Sequence, residues 1–271
     1  MNIEQSTISS LLNSATAELE ETNPDSPRLD AELLLSHVLE CPRLDLFLKG
    51  NQPLNGDQMV TYLGMLRQRA LGCPVSYLTG EKEFWSLTLE VSKDTLIPRP
   101  DTETLVESTV EQILKWQKTN KGKTCCIAEL GTGTAAIPLA LCAELKNLHI
   151  TSVDCSEQIL AIAARNIHSY KNLLAPRNNW LDLVQSDLFS AIDFHAKLDF
   201  IVSNPPYIPS GKIADLQTEV SQFEPRNALD GGKDGLFFYR YLLSAAPGML
   251  KRDGKMILEI GFDQQPDLTK L

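Results

Sequence analysis

"TCCIAELGTGTAAIPLALCAEL", Thr124 to Leu145, decides the fold. The apolar run "TCCIAEL" reads as a buried strand. It passes through Gly131 and Gly133 directly into a helical stretch. Two glycines this close permit a tight turn and let a ligand approach the backbone. The spacing fits G-x-G-x-x-G/A, with Ala136 in the last place. A strand, a glycine turn and a helix in this order predict a ligand-binding βα unit.

The same alternation continues outward. "LHITSVD" (148–154) is a strand that ends in an acid. "SEQILAIAARNIHSY" (156–170) is a helix with Ser156 as its N-cap. "LDLVQSD" (181–187) is a third strand ending in an acid, and "LDFIVSNPPY" (198–207) a fourth. Near the end, "GLFFYRYLLSAAPGML" (235–250) reads as a helix and "GKMILEIG" (254–261) as a strand. Strands alternating with helices predict a parallel, doubly wound α/β sheet.

The chain before this region has a different period. Ile8, Leu11, Leu12, Ala15 and Leu19 recur at helix spacing. Ser26-Pro27 reads as an N-cap followed by proline at the first helical position. The next helix is expected to bury Leu29, Leu33, Leu34 and Val38. "LNGDQMVTYLGMLRQRALG" (54–72) is expected to bury Val60, Leu63, Leu66 and Ala70, with Gly72 closing the helix. Residues 1–75 thus predict a helical bundle, which serves either as a stabilising cap or in substrate recognition. Over 76–98, Phe84, Leu87, Leu89 and Val91 favour strand and predict a hairpin-like linker. Pro100 and the acidic residues after it suit a helix start.

Composition narrows the function. Of 271 residues, 43% are hydrophobic and 22% charged, and the net charge is −10. Duplex nucleic acid is usually met by a basic footprint, so this balance disfavours it as a substrate. The six cysteines contain no C-x-x-C pair, and Cys125 and Cys126 point to opposite faces of one strand. Scattered cysteines in a long chain predict a reduced, cytoplasmic protein. The four histidines, His37, His149, His168 and His195, lack zinc-ligand spacing, so no metal site is expected. "MNIEQSTISS" lacks the basic and apolar regions of a signal peptide. No apolar run approaches the ~18 residues of a membrane helix.

Three features carry the chemistry. The glycine turn, Gly131, Thr132, Gly133, Thr134 and Ala135, lies one strand before Asp154, a carboxylate placed to meet ribose hydroxyls. That pair fits an adenosyl cofactor, either a nicotinamide dinucleotide or S-adenosylmethionine. Asp187 is placed to accept from an adenine amino group, with Leu188 as an apolar wall. "NPPY" then chooses between the cofactors. The side-chain oxygen of Asn204 and the carbonyl of Pro205 are two acceptors that match the two hydrogens of an –NH₂ group. Pro206 stiffens the turn, and Tyr207 supplies a flat face for a planar amide or base. An amide nitrogen is a poor nucleophile because its lone pair is delocalised. Holding both N–H bonds lets the nitrogen pyramidalise toward an electrophilic methyl and stabilises the positive charge it acquires. Asn204, Pro205 and Tyr207 are therefore the candidate catalytic residues, and Asn204 also borders the cofactor.

"ELGTGTAAI", "SVD", "QSDLF", "SNPPYI", "LIPRPDTE", "YLTGEKEFWSL" and "FEPRNALDGGKDGL" together resemble the HemK/PrmC protein-(glutamine-N5) methyltransferases. NPPY alone is shared with adenine-N6 DNA methyltransferases; joined to "LIPRPDTE" it is much more specific. The resemblance implies a Rossmann-like class I S-adenosylmethionine-dependent methyltransferase domain over 99–271, with an N-terminal helical bundle. It implies S-adenosylmethionine as cofactor. It implies the glutamine of the Gly-Gly-Gln motif in class 1 peptide chain release factors as substrate, and a monomer as the acting form. Asp101, Thr102 and Glu103 would close over the methionine end of the cofactor or the substrate channel; Arg99 stands outside this set, with a contact to the helical bundle as its alternative role. Ala135 stands where the family usually has glycine; its extra methyl is expected to narrow the cofactor pocket, although alanine tolerates ordinary helical angles. Leu188 stands where some members carry an aromatic residue. Family members continue past "QQPDLTKL" with a helix and two strands, so the C-terminal strands are expected to be short or missing. The alternatives are an adenine-N6 nucleic-acid methyltransferase, a nicotinamide-dependent dehydrogenase, which leaves NPPY unexplained, and a binding protein without catalysis.

Overall fold

The computed structural model describes residues 7–22, 25–193 and 197–271. His195 and the first six residues, on which the signal-peptide reading rests, lie outside the described residues. The chain forms two compact units. The first comprises Met1–Gly80 with Gln217–Phe223, and the second Glu81–Leu216 with Glu224–Leu271. Residues 76–80 belong to the first unit and 81–98 to the second.

The first unit holds α1 (Ile8–Glu21), α2 (Pro27–Val38), α3 (Arg43–Leu48), α4 (Gly56–Ala70) and α5 (Val75–Thr79). Its core is Ile8, Leu12, Ala15 and Leu19 of α1, Ala31, Leu34 and Leu35 of α2, Leu46, Tyr62 and Leu66. Thr7 caps α1, and Asn55 with Gln58 forms a capping box at α4. Ser26 makes no capping side-chain bond; α2 begins instead on Pro27, whose fixed φ is already helical. Gly72, at φ +93°, follows the end of α4 as expected.

The predicted inner faces of α2 and α4 are corrected. Leu29 and Val60 are exposed, while Asp30, Ala31 and Glu32 of α2 and Met59, Tyr62 and Arg69 of α4 are buried. The reason is a set of buried ion pairs. Arg69 Nε donates to Asp30 Oδ2 (2.7 Å), and Arg69 Nη2 to Glu219 Oε1 (2.6 Å) in a π-turn, Glu219–Phe223. Glu32 is held by Arg28 and Arg43, each at 2.6 Å. Burial pushes the Asp30 carboxyl up against the opposing pull of Arg69. Once paired, these charges occupy core positions that a hydrophobic pattern assigns to leucine or valine.

The second unit contains the hairpin β1 (Glu81–Phe84) and β2 (Leu87–Glu90), then α6 (Thr102–Thr119), β3 (Cys125–Leu130), α7 (Ala136–Glu144), β4 (Leu148–Asp154), α8 (Glu157–Ser169), α9 (Lys171–Leu174), β5 (Trp180–Gln185), β6 (Leu198–Ser203), α10 (Phe237–Met249), β7 (Leu250–Leu258) and α11 (Gln265–Leu268). The hairpin turns on Trp85 and Ser86, both at positive φ (53° and 58°), which matches the twist of tight hairpins. Its inner residues Phe84, Leu87 and Leu89 are part of the sheet's core.

The five-stranded sheet has the order β5-β4-β3-β6-β7, and every neighbouring pair is parallel. Strand residues alternate between two apolar cores. Cys125, Ile127, Ile150, Phe200 and Val202 face one, with α6 and α7. Ala128, Leu130, Val153 and Ile201 face the other, with α10. Helices thus cover both faces, as a parallel sheet requires. The chain runs outward from β3 through β4 to β5, then returns to β6 on the other side of β3. Ligands of such sheets bind at this reversal, outside the carboxyl ends of the strands. β3 ends there in the glycine turn and β6 in NPPY.

Arg69→Ala leaves Asp30 buried without its partner and is expected to cost about 3 kcal/mol of stability. Denaturant unfolding across pH should show that loss shrink as the pH falls, because a protonated Asp30 no longer needs the guanidinium.

Candidate active site

At the end of β3 the chain turns sharply. Gly131 and Thr132 N–H groups both donate to the Val153 carbonyl (2.9 Å each), so the turn is pinned to β4. Gly131 and Gly133 have φ of 75° and 55°, and no atom lies within 4 Å of where a Cβ would stand on either. The turn therefore has open space beside it. Asp154 closes β4 and is buried. Its Oδ2 accepts from Gly133 N–H (3.1 Å) and its Oδ1 from Ser156 N–H (3.4 Å). Burial raises its pKa, and these backbone donors oppose the rise. The glycine turn and Asp154, paired by register in the sequence, are thus hydrogen-bonded to each other.

Ala135 closes the turn. Its φ and ψ are 62° and 28°, left-handed rather than helical, and it is fully buried. Leu188 also has a positive φ, 51°. Left-handed backbone is costly for side chains beyond glycine, and bulky residues occupy it where the surroundings force them. Both strained residues belong to the predicted cofactor set. Asp187, beside Leu188, is exposed.

Two residues near this turn escaped the sequence reading. Asn166 on α8 is buried, and its Nδ2 donates to the Thr134 carbonyl (2.9 Å) and the Glu90 carbonyl (3.0 Å), tying the turn to β2. Glu129, second to last in β3, is 1% exposed, and neither carboxyl oxygen has a hydrogen-bond partner. The Thr132 and Ser152 hydroxyls face it without reaching hydrogen-bonding geometry. Burial pushes this carboxyl up to about 8. Buried acceptors are ordinarily satisfied, so an orphaned carboxyl beside an open glycine turn fits a ligand that brings a donor. The signal available was the acid in "ELGTGT", at a strand position that an apolar pattern would fill.

At the other side of the reversal, Ser203 Oγ donates to the Leu130 carbonyl (2.7 Å) and locks the end of β6 to β3. Pro205 is buried, and Asn204, Pro206 and Tyr207 are half-buried. Asn204 Nδ2 donates to Thr102 Oγ1 (3.1 Å) at the start of α6. Tyr207 Oη donates to Glu259 Oε1 (3.5 Å), in the residue that follows β7. Burial raises the Tyr207 pKa.

The residues around "LIPRPDTE" separate. Thr102 reaches Asn204. Glu103 turns away: its Oε1 accepts from Trp85 N–H (3.0 Å) in the hairpin turn. Arg99 pairs with Glu224 (2.5 Å), a residue of its own unit.

The "DGGKDG" segment, residues 230–235, supports NPPY. Ile208 N–H donates to the Leu229 carbonyl (3.0 Å), Gly231 N–H to the Ile208 carbonyl (2.8 Å) and Ser210 N–H to the Gly232 carbonyl (2.9 Å). A Cβ on Gly231 would stand 2.8 Å from the Pro206 carbonyl oxygen, and one on Gly235 only 2.3 Å from that of Tyr207. Gln264 Nε2 donates to the Tyr207 carbonyl (3.0 Å) and the Gly235 carbonyl (3.2 Å). Among the described residues, no group of three or more His, Cys, Asp or Glu is placed to hold a metal ion, and no helix is long and apolar enough to cross a membrane.

A glycine turn on the central strand of an all-parallel sheet, with an acid closing the next strand, defines a Rossmann-like domain for an adenosyl cofactor, and comparison with known proteins makes it a class I S-adenosylmethionine-dependent methyltransferase. Residues 10–80 match the PrmC N-terminal domain, and residues 109–222 the methyltransferase small domain. A release factor glutamine methyltransferase of Salmonella typhimurium is 40% identical over 253 residues, 93% of this chain and 85% of that protein. One of Coxiella burnetii is 39% identical over 248 residues, 91% and 83% of the two chains. The chain belongs to the release factor glutamine methyltransferase family. The hMettl16 catalytic domain, solved in complex with MAT2A 3'UTR hairpin 6, aligns with a TM-score of 0.52 at 15% identity, covering 76% of this chain and 71% of that one. That likeness is one of fold alone.

Two outcomes follow from the turns. Ala135→Gly relieves left-handed strain and should raise the unfolding free energy by about 0.5–1 kcal/mol after the added chain entropy, measured in denaturant. Gly235→Ala forces a methyl into the Tyr207 carbonyl and should slow methyl transfer by about tenfold or more while S-adenosylmethionine affinity holds.

Proposed function

We propose that this chain methylates the side-chain amide nitrogen, N5, of the glutamine in the Gly-Gly-Gln motif of class 1 peptide chain release factors, with S-adenosylmethionine as donor. We further propose that it acts in the cytoplasm, as a monomer, with a protein rather than a nucleic acid as acceptor. One observation carries this reading. NPPY stands at the carboxyl end of β6, across the sheet's reversal from the open glycine turn, so an amide clamp and a nucleotide-type turn flank one position.

The chain's residues fit the cofactor. The open space beside Gly131 and Gly133 admits a ligand against the backbone, and Thr132, Thr134 and Ala135 complete the turn. Asp154 would meet ribose hydroxyls, Asp187 and Leu188 the adenine, and the orphaned Glu129 carboxyl a donor. When bound, the cofactor supplies an electrophilic methyl on a sulfonium.

Asn204 Oδ1 and the Pro205 carbonyl would accept the two N–H groups of the substrate amide, with Tyr207 against its plane and Pro206 holding the turn. Asn204 and Pro205 would hold the amide nitrogen while it takes that methyl, the electron pair of the former bond staying with the departing sulfur. The two acceptors stabilise the charge that builds on nitrogen, which then releases one proton. Rigid positioning supplies the rest of the acceleration. A nucleic-acid amino group would satisfy the same two acceptors, but the net charge of −10 gives no support for a phosphate backbone.

Transfer of labelled methyl from S-adenosylmethionine to a class 1 release factor, absent from its Gln→Ala variant and from duplex DNA, is the expected result. Label on DNA alone would replace this reading with the nucleic-acid one. Asn204→Ala should lower kcat about 100- to 1,000-fold with cofactor affinity nearly intact. Asp154→Ala should instead weaken cofactor binding about tenfold or more. A parallel fall of both quantities in Asn204→Ala would assign Asn204 to cofactor binding or folding.

A further inference from the structure

An asparagine side chain can be seated two ways, and only one of them presents its oxygen to a substrate –NH₂ group. The reversed seating would point one –NH₂ at another and leave the acceptor pair incomplete. Something must fix the choice, and NPPY itself contains nothing that does. Prolines have no N–H, and Tyr207 engages Glu259 rather than Asn204.

The groups on the other side of Asn204 answer the question. Its Nδ2 donates to Thr102 Oγ1 (3.1 Å). Thr102 is 5% exposed, and both it and Asn204 are near enough to the Glu259 carboxyl to lower its proton affinity without reaching hydrogen-bonding geometry. Glu259 is held in place from three directions. Its N–H donates to the Ser203 carbonyl (3.1 Å), one residue before Asn204. Its own carbonyl accepts from Tyr239 Oη (2.8 Å), and its Oε1 from Tyr207 Oη (3.5 Å). Its Oε2 is buried with no partner at hydrogen-bonding geometry.

Resting on the function proposed above, we propose that Glu259, acting through Thr102, is a positioning residue that fixes the Asn204 amide with its oxygen toward the substrate, and does so only as a carboxylate. An ionised carboxylate accepts and cannot donate. Facing it and the Thr102 oxygen, the asparagine turns its –NH₂ end inward and its oxygen outward. Once protonated, Glu259 can donate, and the reversed seating becomes equally favourable. The role also explains why "PRPDTE" and NPPY occur together: Thr102 is the contact between them.

The groups that face Glu259 are Asp101 and Thr102 at the start of α6, Asn204 and Tyr207 after β6, and Tyr239 on α10. Arg99 lies nearer Tyr207 and is paired with Glu224. Burial is the largest influence and raises the Glu259 pKa, Asp101 adds to the rise, and the Thr102, Asn204 and Tyr207 donors oppose it. The carboxylate is therefore lost at a higher pH than an exposed glutamate would lose it, and activity falls with it as the solution is acidified.

The test compares the full-length protein with Glu259→Gln, Thr102→Val and Thr102→Ser, using a class 1 release factor and S-adenosylmethionine across pH. Wild-type kcat should fall on acidification. Glu259→Gln should lower kcat about 100-fold and lose that acid limb, with cofactor Kd within about twofold of wild type. Thr102→Val should lose about tenfold in kcat, and Thr102→Ser should restore it. A Glu259→Gln enzyme that keeps both the wild-type rate and the wild-type pH profile overturns the proposal. If wild type methylates no release factor, the proposed function fails, and thermal unfolding decides the relay by itself. The Thr102→Val/Glu259→Gln double variant should then melt no lower than the worse single variant, whereas additive losses in Tm overturn the relay.

Discussion

Pro205 and Pro206 offer no backbone N–H, so the chain leaving β6 cannot be held there by a strand ladder. The NPPY turn must be fixed by other parts of the molecule, and much of the second unit is arranged to do so. Ser203 locks the strand end to β3 through its hydroxyl. The backbone of 229–232 pairs with Ile208 and Ser210 immediately downstream. Gly231 and Gly235 approach the Pro206 and Tyr207 carbonyls more closely than any side chain would allow. Gln264, from beyond β7, closes the group by donating to Tyr207 and Gly235 together. A rigid turn assembled from three remote segments is suited to holding two acceptors at a fixed separation, since positioning counts in catalysis only when it is established before the substrate arrives.

The glycine turn after β3 shows the same economy of means with a different device. Its backbone is pinned to Val153, its Gly133 amide to Asp154 and its Thr134 carbonyl to Asn166. Ala135 at its end and Leu188 after β5 hold left-handed conformations. Strain of this kind persists only where the surrounding structure over-determines the backbone. Glu129 and Asp154 beside the turn, and Glu259 beside NPPY, are carboxyls of raised proton affinity, each shifted chiefly by burial. Desolvated acids collect where a fold prepares for a ligand, because their isolation is relieved only when donors arrive.

Much of this was legible in the sequence. The alternation from Thr124 onward gave the α/β class, and the strands 148–154 and 198–203 fall where the apolar runs place them. Glycine spacing and a double proline are strong local signals because they restrict or free the backbone directly. What stayed hidden depends on partners far along the chain. Glu129 and Glu259 sit among apolar strand residues and look like interruptions of a pattern. Glu259 acquires its meaning from Thr102, far back in the chain. The inner faces of α2 and α4 were misread for the same reason: Asp30 and Arg69 are core residues because each neutralises the other. Ala135 holds a left-handed conformation, which no local propensity of alanine reports.

The central claim is that NPPY recognises an –NH₂ group by presenting two acceptors and no donor. Calorimetric binding of a class 1 release factor to the S-adenosylhomocysteine-loaded protein tests it most directly, comparing the Gly-Gly-Gln motif with a Gly-Gly-Glu variant. The two side chains have nearly the same shape, but the carboxylate turns two donors into two acceptors. Binding of the glutamate form weaker by about tenfold or more is the predicted result, as expected when buried acceptors are left facing acceptors. Equal affinity for the two forms would contradict the account.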